Sequence, residues 1–434
     1  MPLRLSADAP DFDEAFEAFV SRSRDDEDDV TSSVRIIIDE VRRDGFQKVQ
    51  AYTEQFDGHS VDESSVQSTS ADLNAALEGT EPDVLDALEF AAARIRDYHE
   101  RQRPEDIFYT DDIGVELGWR WTAVSAAGLY APGGLAAYPS SVLMNAIPAK
   151  VAGVERLVLV TPTPNGAVNN AVLAAAKIAG VDEIYRIGGA QAIAALAYGA
   201  GPIEPVDVIV GPGNAYVAEA KRQVFGRVGI DSVAGPSEIM VVADGDNNPE
   251  WIAADLLSQA EHDPSSQSVL VTDDHDFAEA VSIAVDTQLS QSSRQNVAEA
   301  AWRNNSAIII VPTLDAAPVI VDKIAPEHLE LAVADPHALV NKIRNAGAIF
   351  LGRHTPEAVG DYVAGPDHVL PTSGGARYAS GLSVLDFMKR TSLVGCSSEA
   401  LSQIGPAAAR LADAEGLPSH AQSVRIRLDG ARER

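Results

Sequence analysis

The succession ERLVLVTP (155–162), AVNNAVLAAAKIAG (167–180), DEIYRIG (182–188), AQAIAALAYGA (190–200), DVIVGPG (207–213) and NAYVAEAKRQVFG (214–226) decides the fold class. Short Val/Ile/Leu runs alternate with longer stretches at helical period, and Gly, Pro or Asn marks each junction. Strands that are apolar on both faces belong in a parallel sheet covered by helices above and below. A second series follows AGPSE, with the strand IMVVAD, the helix PEWIAADLLSQAEHD, the strand SVLVTDD, a long helical stretch, the strand SAIIIVP and later AGAIFLG. The expected fold is α/β, with two incomplete Rossmann-like lobes that have parallel-sheet cores, at residues 130–237 and 238–380.

The flanks read differently. Residues 1–30 form an acidic surface arm, in which SRSRDDEDDV is a helix ending in a charged turn. Residues 31–129 are a helical part expected to pack with the second lobe, with Val34, Ile37, Ile38, Val41 and Val49 at helical spacing. Residues 381–434 read as two helices and a final strand, too small for a core of their own, so they should pack on something else.

At 434 residues and 46% hydrophobic, the chain can bury large cores and needs no staples. Its 33 Lys+Arg against 64 Asp+Glu give a net charge of -31, which repels nucleic acid and anionic membranes. The acids run from Asp8 to Glu433 and Arg outweighs Lys. That surface resembles proteins of organisms with molar cytoplasmic salt, where a Debye length of about 3 Å screens self-repulsion. Cys396 is the single cysteine, which excludes an intramolecular disulfide and a cysteine metal cluster. The acidic start does not read as a signal peptide, and no run reaches about 18 apolar residues, so a cytoplasmic protein is expected.

Several short motifs carry chemistry. GPGN (211–214) follows a strand and opens a helix, where free N–H groups favour an anion. It has Tyr216 where a full dinucleotide fingerprint has glycine, and IGGAQA (187–192) is also incomplete, so a dinucleotide site and plain tight turns both remain open. Gln259 and His262 share a helix face at i, i+3, as metal or substrate ligands or as surface residues. In APEHLEL (325–331) Glu327 and His328 pair a carboxylate with an imidazole, for proton transfer or with Glu327 as a helix cap. GDYVAGPDHVLPT (360–372) offers Asp361 and His368, from a binding loop or a plain surface loop, and DAEGLPSH (413–420) offers Glu415 and His420. Gln259, His262, Asp361 and His420 would make an N/O site for zinc or a similar ion, although spacing does not show that they meet.

Taken together, GLYAPGG (128–134), YPSSVLMNAIPA (138–149), IGGAQAIAALAYG (187–199), VGPGNAYVAEAKRQV (210–224), DSVAGPSE (231–238), LLSQAEHDP (256–264), APEHLEL, GDYVAGPDHVLPT and AEGLPSH resemble the histidinol dehydrogenases. These enzymes use zinc and NAD for the last two oxidations of histidine biosynthesis. The resemblance implies one zinc per subunit on Gln259, His262, Asp361 and His420, and NAD contacts from Tyr130, Gln191 and Asn214. It implies substrate contacts from Ser237, His328, His368 and Glu415 together with the zinc ligands. His328 would take the hydroxyl proton of L-histidinol, and Glu327 would activate water for the second oxidation. The family is a homodimer with shared active sites, so Glu415 and His420 would serve the partner subunit. Asp367 stands where Asn is expected, and a carboxylate beside His368 would favour its protonated form. Competing readings are an NAD-dependent dehydrogenase of another amino alcohol or polyol, a zinc hydrolase with no task for GPGN, and a silent binding protein, which should lack Glu327 or His328.

Overall fold

In the computed structural model, residues 2–22, 30–133, 138–233 and 235–430 are described. Most of the turn expected in SRSRDDEDDV, Gly134 of GLYAPGG and Ala234 of DSVAGPSE lie outside them. The strands are β1 (Leu3–Ser6), β2 (Ile107–Thr110), β3 (Val115–Ala123), β4 (Ala126–Tyr130), β5 (Arg156–Val160), β6 (Glu183–Tyr185) and β7 (Val208–Val210), then β8 (Gly229–Ile230), β9 (Glu238–Ala243), β10 (Gln267–Thr272), β11 (Ala307–Ile310), β12 (His328–Ala332), β13 (Ala348–Leu351) and β14 (Met388–Cys396). The chain divides into two compact units, Met1–Gln102 with Ser125–Phe387, and Arg103–Val124 with Met388–Arg434.

The larger unit holds both Rossmann-like lobes. Its five-stranded sheet runs β6-β5-β4-β7-β8 and its six-stranded sheet β1-β11-β10-β9-β12-β13. Every pairing in the two is parallel. In each sheet the order reverses once, between β4 and β7 and between β9 and β12, the places where open α/β sheets leave a crevice. Alternation along β9 explains the two-sided core of the larger sheet. Ile239, Val241 and Ala243 pack with Ile252, Leu256 and Trp302, whereas Met240 and Val242 pack with Phe16, Ile320 and Leu329.

Three expectations about the flanks need correction. Residues 1–30 are not only a surface arm, because β1 adds to the six-stranded sheet beside β11 and buries Leu5. The helices of residues 31–100 pack chiefly on the first lobe, not the second: Val34, Ile37, Ile38, Val41 and Val49 join one core with Val158, Ile193 and Val217. The last of them, Pro82–Glu100, also reaches the second lobe, where Arg94 Nε donates to the Val363 carbonyl at 2.6 Å. The 31–129 segment is also not all helical, since β2 and β3 lie within it.

The smaller unit is an antiparallel sheet, β14-β3-β2, followed by the helices Ser398–Ala414 and Pro418–Gly430, which pack on one another. The strand expected at the end of the chain is helix, and the strand of this segment comes first instead. SVRIRLDG misleads because its isolated Val and Ile alternate with Arg, a strand-like pattern over too few residues to exclude a helix.

Candidate active site and cofactor cleft

The second lobe gathers its titratable groups at the amino ends of β9 and β12. These strands are neighbours in register, with His328 opposite Ile239, so Glu238 and Glu327 stand side by side. The Glu238 N–H donates to Glu327 Oε2 at 2.9 Å, and the Glu327 N–H to Glu238 Oε2 at 3.3 Å. Glu327 therefore precedes a strand and caps no helix. It is buried, and burial pushes its carboxyl up to about 8 despite the opposing pull of His328.

His328 is fixed through one nitrogen. Its Nδ1 lies 2.9 Å from the Glu238 carbonyl oxygen, which can only accept, so the proton sits on Nδ1. Nε2 is buried without a hydrogen-bond partner among the described residues and lies 3.6 Å from Asp361 Oδ1. Burial alone would lower the His328 pKa, but the carboxylates of Glu357, Glu327 and Asp361 outweigh it and raise the pKa well above the usual value. Asp361 moves the opposite way. Burial would raise it, but the His328 ring holds it below the carboxylate norm.

Glu357 and Asp361 come from the short helix Glu357–Tyr362, where i, i+4 spacing puts both on one face. With His328 they present ligand atoms within 4.8 Å of one another. Gln259, in the last turn of the helix Pro249–Ala260, is buried and not a surface residue. With its amide oriented so that both ends are satisfied, the NH2 donates to Glu357 Oε1 at 2.5 Å. His262 lies just beyond that helix, partly solvent-exposed, and interacts electrostatically with Asp361 and His328. His368 donates from Nδ1 to the Asp361 carbonyl at 2.9 Å, and its Nε2 meets Ser141 Oγ at 3.2 Å.

Gln259, His262, Glu327, His328, Asp361 and His368 thus share one neighbourhood. Ser237 stands one residue before β9, half-buried, with its carbonyl accepting from the Gln267 N–H at 3.0 Å. Glu415 and His420 belong to the smaller unit, at a helix end and in the following helix, both exposed. Glu357, Glu238 and Ser141 were missed in the sequence. For the first, the sequence carries only a weak signal, the E-x-x-x-D spacing of Glu357 and Asp361.

Asp367 also departs from expectation. It does not protonate His368, whose pKa is lowered, first of all by burial. Asp367 is itself buried, with Oδ1 accepting from the Val369 N–H at 2.8 Å and Oδ2 4.0 Å from His99 Nε2. Burial raises its own pKa well above the usual value.

The first lobe has a separate cleft of about 360 Å3 at the carboxyl ends of β4 and β7, lined by Tyr130, Gln191, Asn214 and Tyr216 among others. The Tyr130 hydroxyl accepts from the Gly189 N–H at 3.1 Å, and burial pushes it up to about 12. Asn214 caps the helix Ala215–Val224 through Oδ1, which accepts from the Val217 N–H at 3.2 Å. Gly211 needs to be glycine. Its φ is +114° and a Cβ there would stand 2.2 Å from the Tyr130 carbonyl oxygen. Beneath the turn a buried Lys221–Asp231 ion pair holds both ends of Gly211, with Lys221 Nζ donating to its carbonyl at 2.9 Å and Asp231 accepting from its N–H at 2.8 Å. The GPGN reading as a tight turn is correct, and that turn lines a cleft of nucleotide size.

The sequence profile of the family described as histidinol dehydrogenase matches residues 20–428. A histidinol dehydrogenase of Rhodospirillum rubrum is 62% identical over 99% of each chain. One of Zymomonas mobilis is 58% identical over 99% of this chain and 100% of its own. The crystal structure of histidinol dehydrogenase from Elizabethkingia anophelis superposes with a TM-score of 0.94 at 33% identity, covering 99% of both chains.

Proposed function

Since the chain belongs to the histidinol dehydrogenase family, the oxidoreductases of histidine biosynthesis, we propose that it oxidises L-histidinol through L-histidinal to L-histidine with zinc and two NAD. The observation that carries the reading is His328, anchored at Nδ1 and bare at Nε2, beside two carboxylates that share a helix face. The donor set suits zinc: imidazole nitrogen, carboxylate and amide oxygen, with the Gln259 NH2 directed to Glu357. Gln259, His262 and Asp361, with His420, would hold the ion. When bound, zinc supplies an anchor for the substrate nitrogens, and NAD supplies the two-electron acceptor used in each step.

The protein groups then divide the proton chemistry. The carboxylates of Glu357, Glu327 and Asp361 raise the His328 pKa, and in this reading its Nε2 takes the hydroxyl proton of the substrate. His368 and Ser141 bridge the two lobes above Asp361, and with Ser237 they border the space for the substrate. Glu327, with a pKa near working pH, takes a proton from the water that adds to the aldehyde. Tyr130, Gln191 and Asn214 line the cleft for NAD.

Homodimerisation belongs to the same reading. In the smaller unit Phe108 is 67% exposed, Val394 72% and Leu411 65%, apolar side chains for which a partner subunit is the natural cover. Glu415 and His420, exposed on that unit, would complete the partner's site. The dispersed acidity further supports a protein adapted to high salt.

Glu327→Gln tests the division of labour. L-Histidinol oxidation should stay within a few-fold of wild type, while L-histidinal oxidation falls by about 10²-fold to 10⁴-fold. Equal loss of both steps would refute it.

A further inference from the structure

The helix Phe46–Asp57 ends on a partly buried carboxylate. The last turn of a helix is the negative end of its peptide dipoles, so an acid there is disfavoured. Burial adds to the penalty, raising the Asp57 pKa against the pull of a backbone hydrogen bond from Thr163 and of His59. One carboxylate oxygen, Oδ2, is buried with no hydrogen-bond partner among the described residues. A side chain that is unfavourable where it stands and only half satisfied points to a ligand.

Asp57 faces the cleft already described, together with Tyr130, Gln191, Asn214, Tyr216 and Phe56. Gln191 Oε1 is a second buried acceptor there without a partner. Among the described lining residues there is no Arg or Lys. Two lining residues thus carry an unmatched acceptor and none is cationic, which suits hydroxyl donors at the Asp57 edge and leaves no cation there to pair with a 2′-phosphate.

The position has a further meaning in this topology. In a nucleotide-binding βαβ unit, the acid that recognises the ribose hydroxyls stands just after the second strand. Here that strand is β5, and the residues after it are Thr161, Pro162, Thr163 and Pro164, with no acid among them. Asp57, tied to the Thr163 backbone, brings a carboxylate to that place from an earlier helix.

We propose that Asp57 selects NAD over NADP, its carboxylate accepting from the adenosine ribose hydroxyls and repelling a 2′-phosphate. This rests on the reading that a dinucleotide occupies the cleft between β4 and β7. The alternative is that Asp57 only clamps the loop after β5.

The test is a fluorescence titration of the zinc-loaded, full-length protein with NADH and with NADPH at constant salt, comparing wild type, Asp57→Asn and Asp57→Ser. Wild type should bind NADH at least tenfold more tightly than NADPH. In both variants that ratio should shrink by tenfold or more, chiefly because NADPH binds better, and their Tm should equal or exceed that of wild type. A clamp would weaken both nucleotides alike and leave the ratio unchanged, which overturns the proposal, as would a wild type that binds neither or prefers neither. Binding is read without turnover. A wild type that shows the preference yet fails to oxidise L-histidinol would refute the assigned reaction and leave the role of Asp57 standing.

Discussion

Glu327 and His328 are adjacent in the chain yet held by different means. The ring is anchored on the Glu238 carbonyl, while the Glu327 carboxylate is fixed by the Glu238 N–H. Because Glu327 is raised from 4.5 to about 8, the folded state holds its proton more tightly than the unfolded chain does. Its contribution to stability is complete below pH 4.5 and lost as pH rises through about 8, at a slope of about 1.4 kcal/mol per pH unit within that window. Zinc-free wild type should therefore lose stability relative to Glu327→Gln between pH 5 and pH 8, as read from denaturant midpoints. A difference that stays constant over that range would contradict the buried, proton-holding carboxyl. At this scale the sequence was informative where one of the few histidines marks the place, as His328 does for Glu327 and His368 for the loop that holds Asp361. Glu357 and Glu238 were hidden because acids abound in this chain, and only the fold shows which are buried. Asp367 misled because adjacency in sequence says nothing about facing, and its carboxyl turns to His99.

Two elements explain how these residues are placed. β12 alternates, so His328 and Glu330 project to one face while Leu329 and Leu331 fill the other core. The backbone N–H of Glu357 donates to Glu330 Oε1 at 2.7 Å, which docks the start of the Glu357–Tyr362 helix on that strand. The other element is the turn after β7, where Gly211 is locked between the Tyr130 carbonyl and the Lys221–Asp231 pair. Gly211→Ala should destabilise the protein by more than about 1 kcal/mol and weaken NADH binding, since Cβ has neither the space nor the φ. An unchanged unfolding midpoint together with unchanged NADH affinity would show that the turn yields. The strand and helix runs of both lobes were legible because burial on both faces leaves near-continuous apolar segments. The helix Pro139–Ala152 escaped notice because it is buried almost all round and contains Pro148, so neither an amphipathic stripe nor a clean helical composition marks it. β2 and β14 escaped because they are solvent-exposed along most of their length, and β3 because it is mostly only half-buried; none carries such a run.

For the molecule as a whole, the two lobes supply two different ends of a parallel sheet, carboxyl ends for the cleft and amino ends for the titratable cluster. Among the described residues no helix is long and apolar enough to cross a membrane. The net charge of -31 spreads over the surface, while the acids of the candidate site, Glu327, Asp361 and Glu357, are mostly buried. On the proposed reading of a salt-adapted homodimer, salt should raise activity by screening the surface, and removing it should loosen the dimer, as read by sedimentation alongside initial rates. Full activity with an intact dimer in dilute buffer would contradict that adaptation. The lobes could be read from the sequence because their cores are local βα units. The docking of residues 31–100 on the first lobe could not, since an amphipathic helix shows that it has a buried face but not which surface covers it. The central claim is a four-electron oxidation in one site, and its most direct test is the ratio of products. Purified protein with zinc, NAD and L-histidinol in high salt should form two NADH for each L-histidine, with no free aldehyde accumulating. One NADH per substrate with L-histidinal as the end product, or no NADH at all, would contradict it.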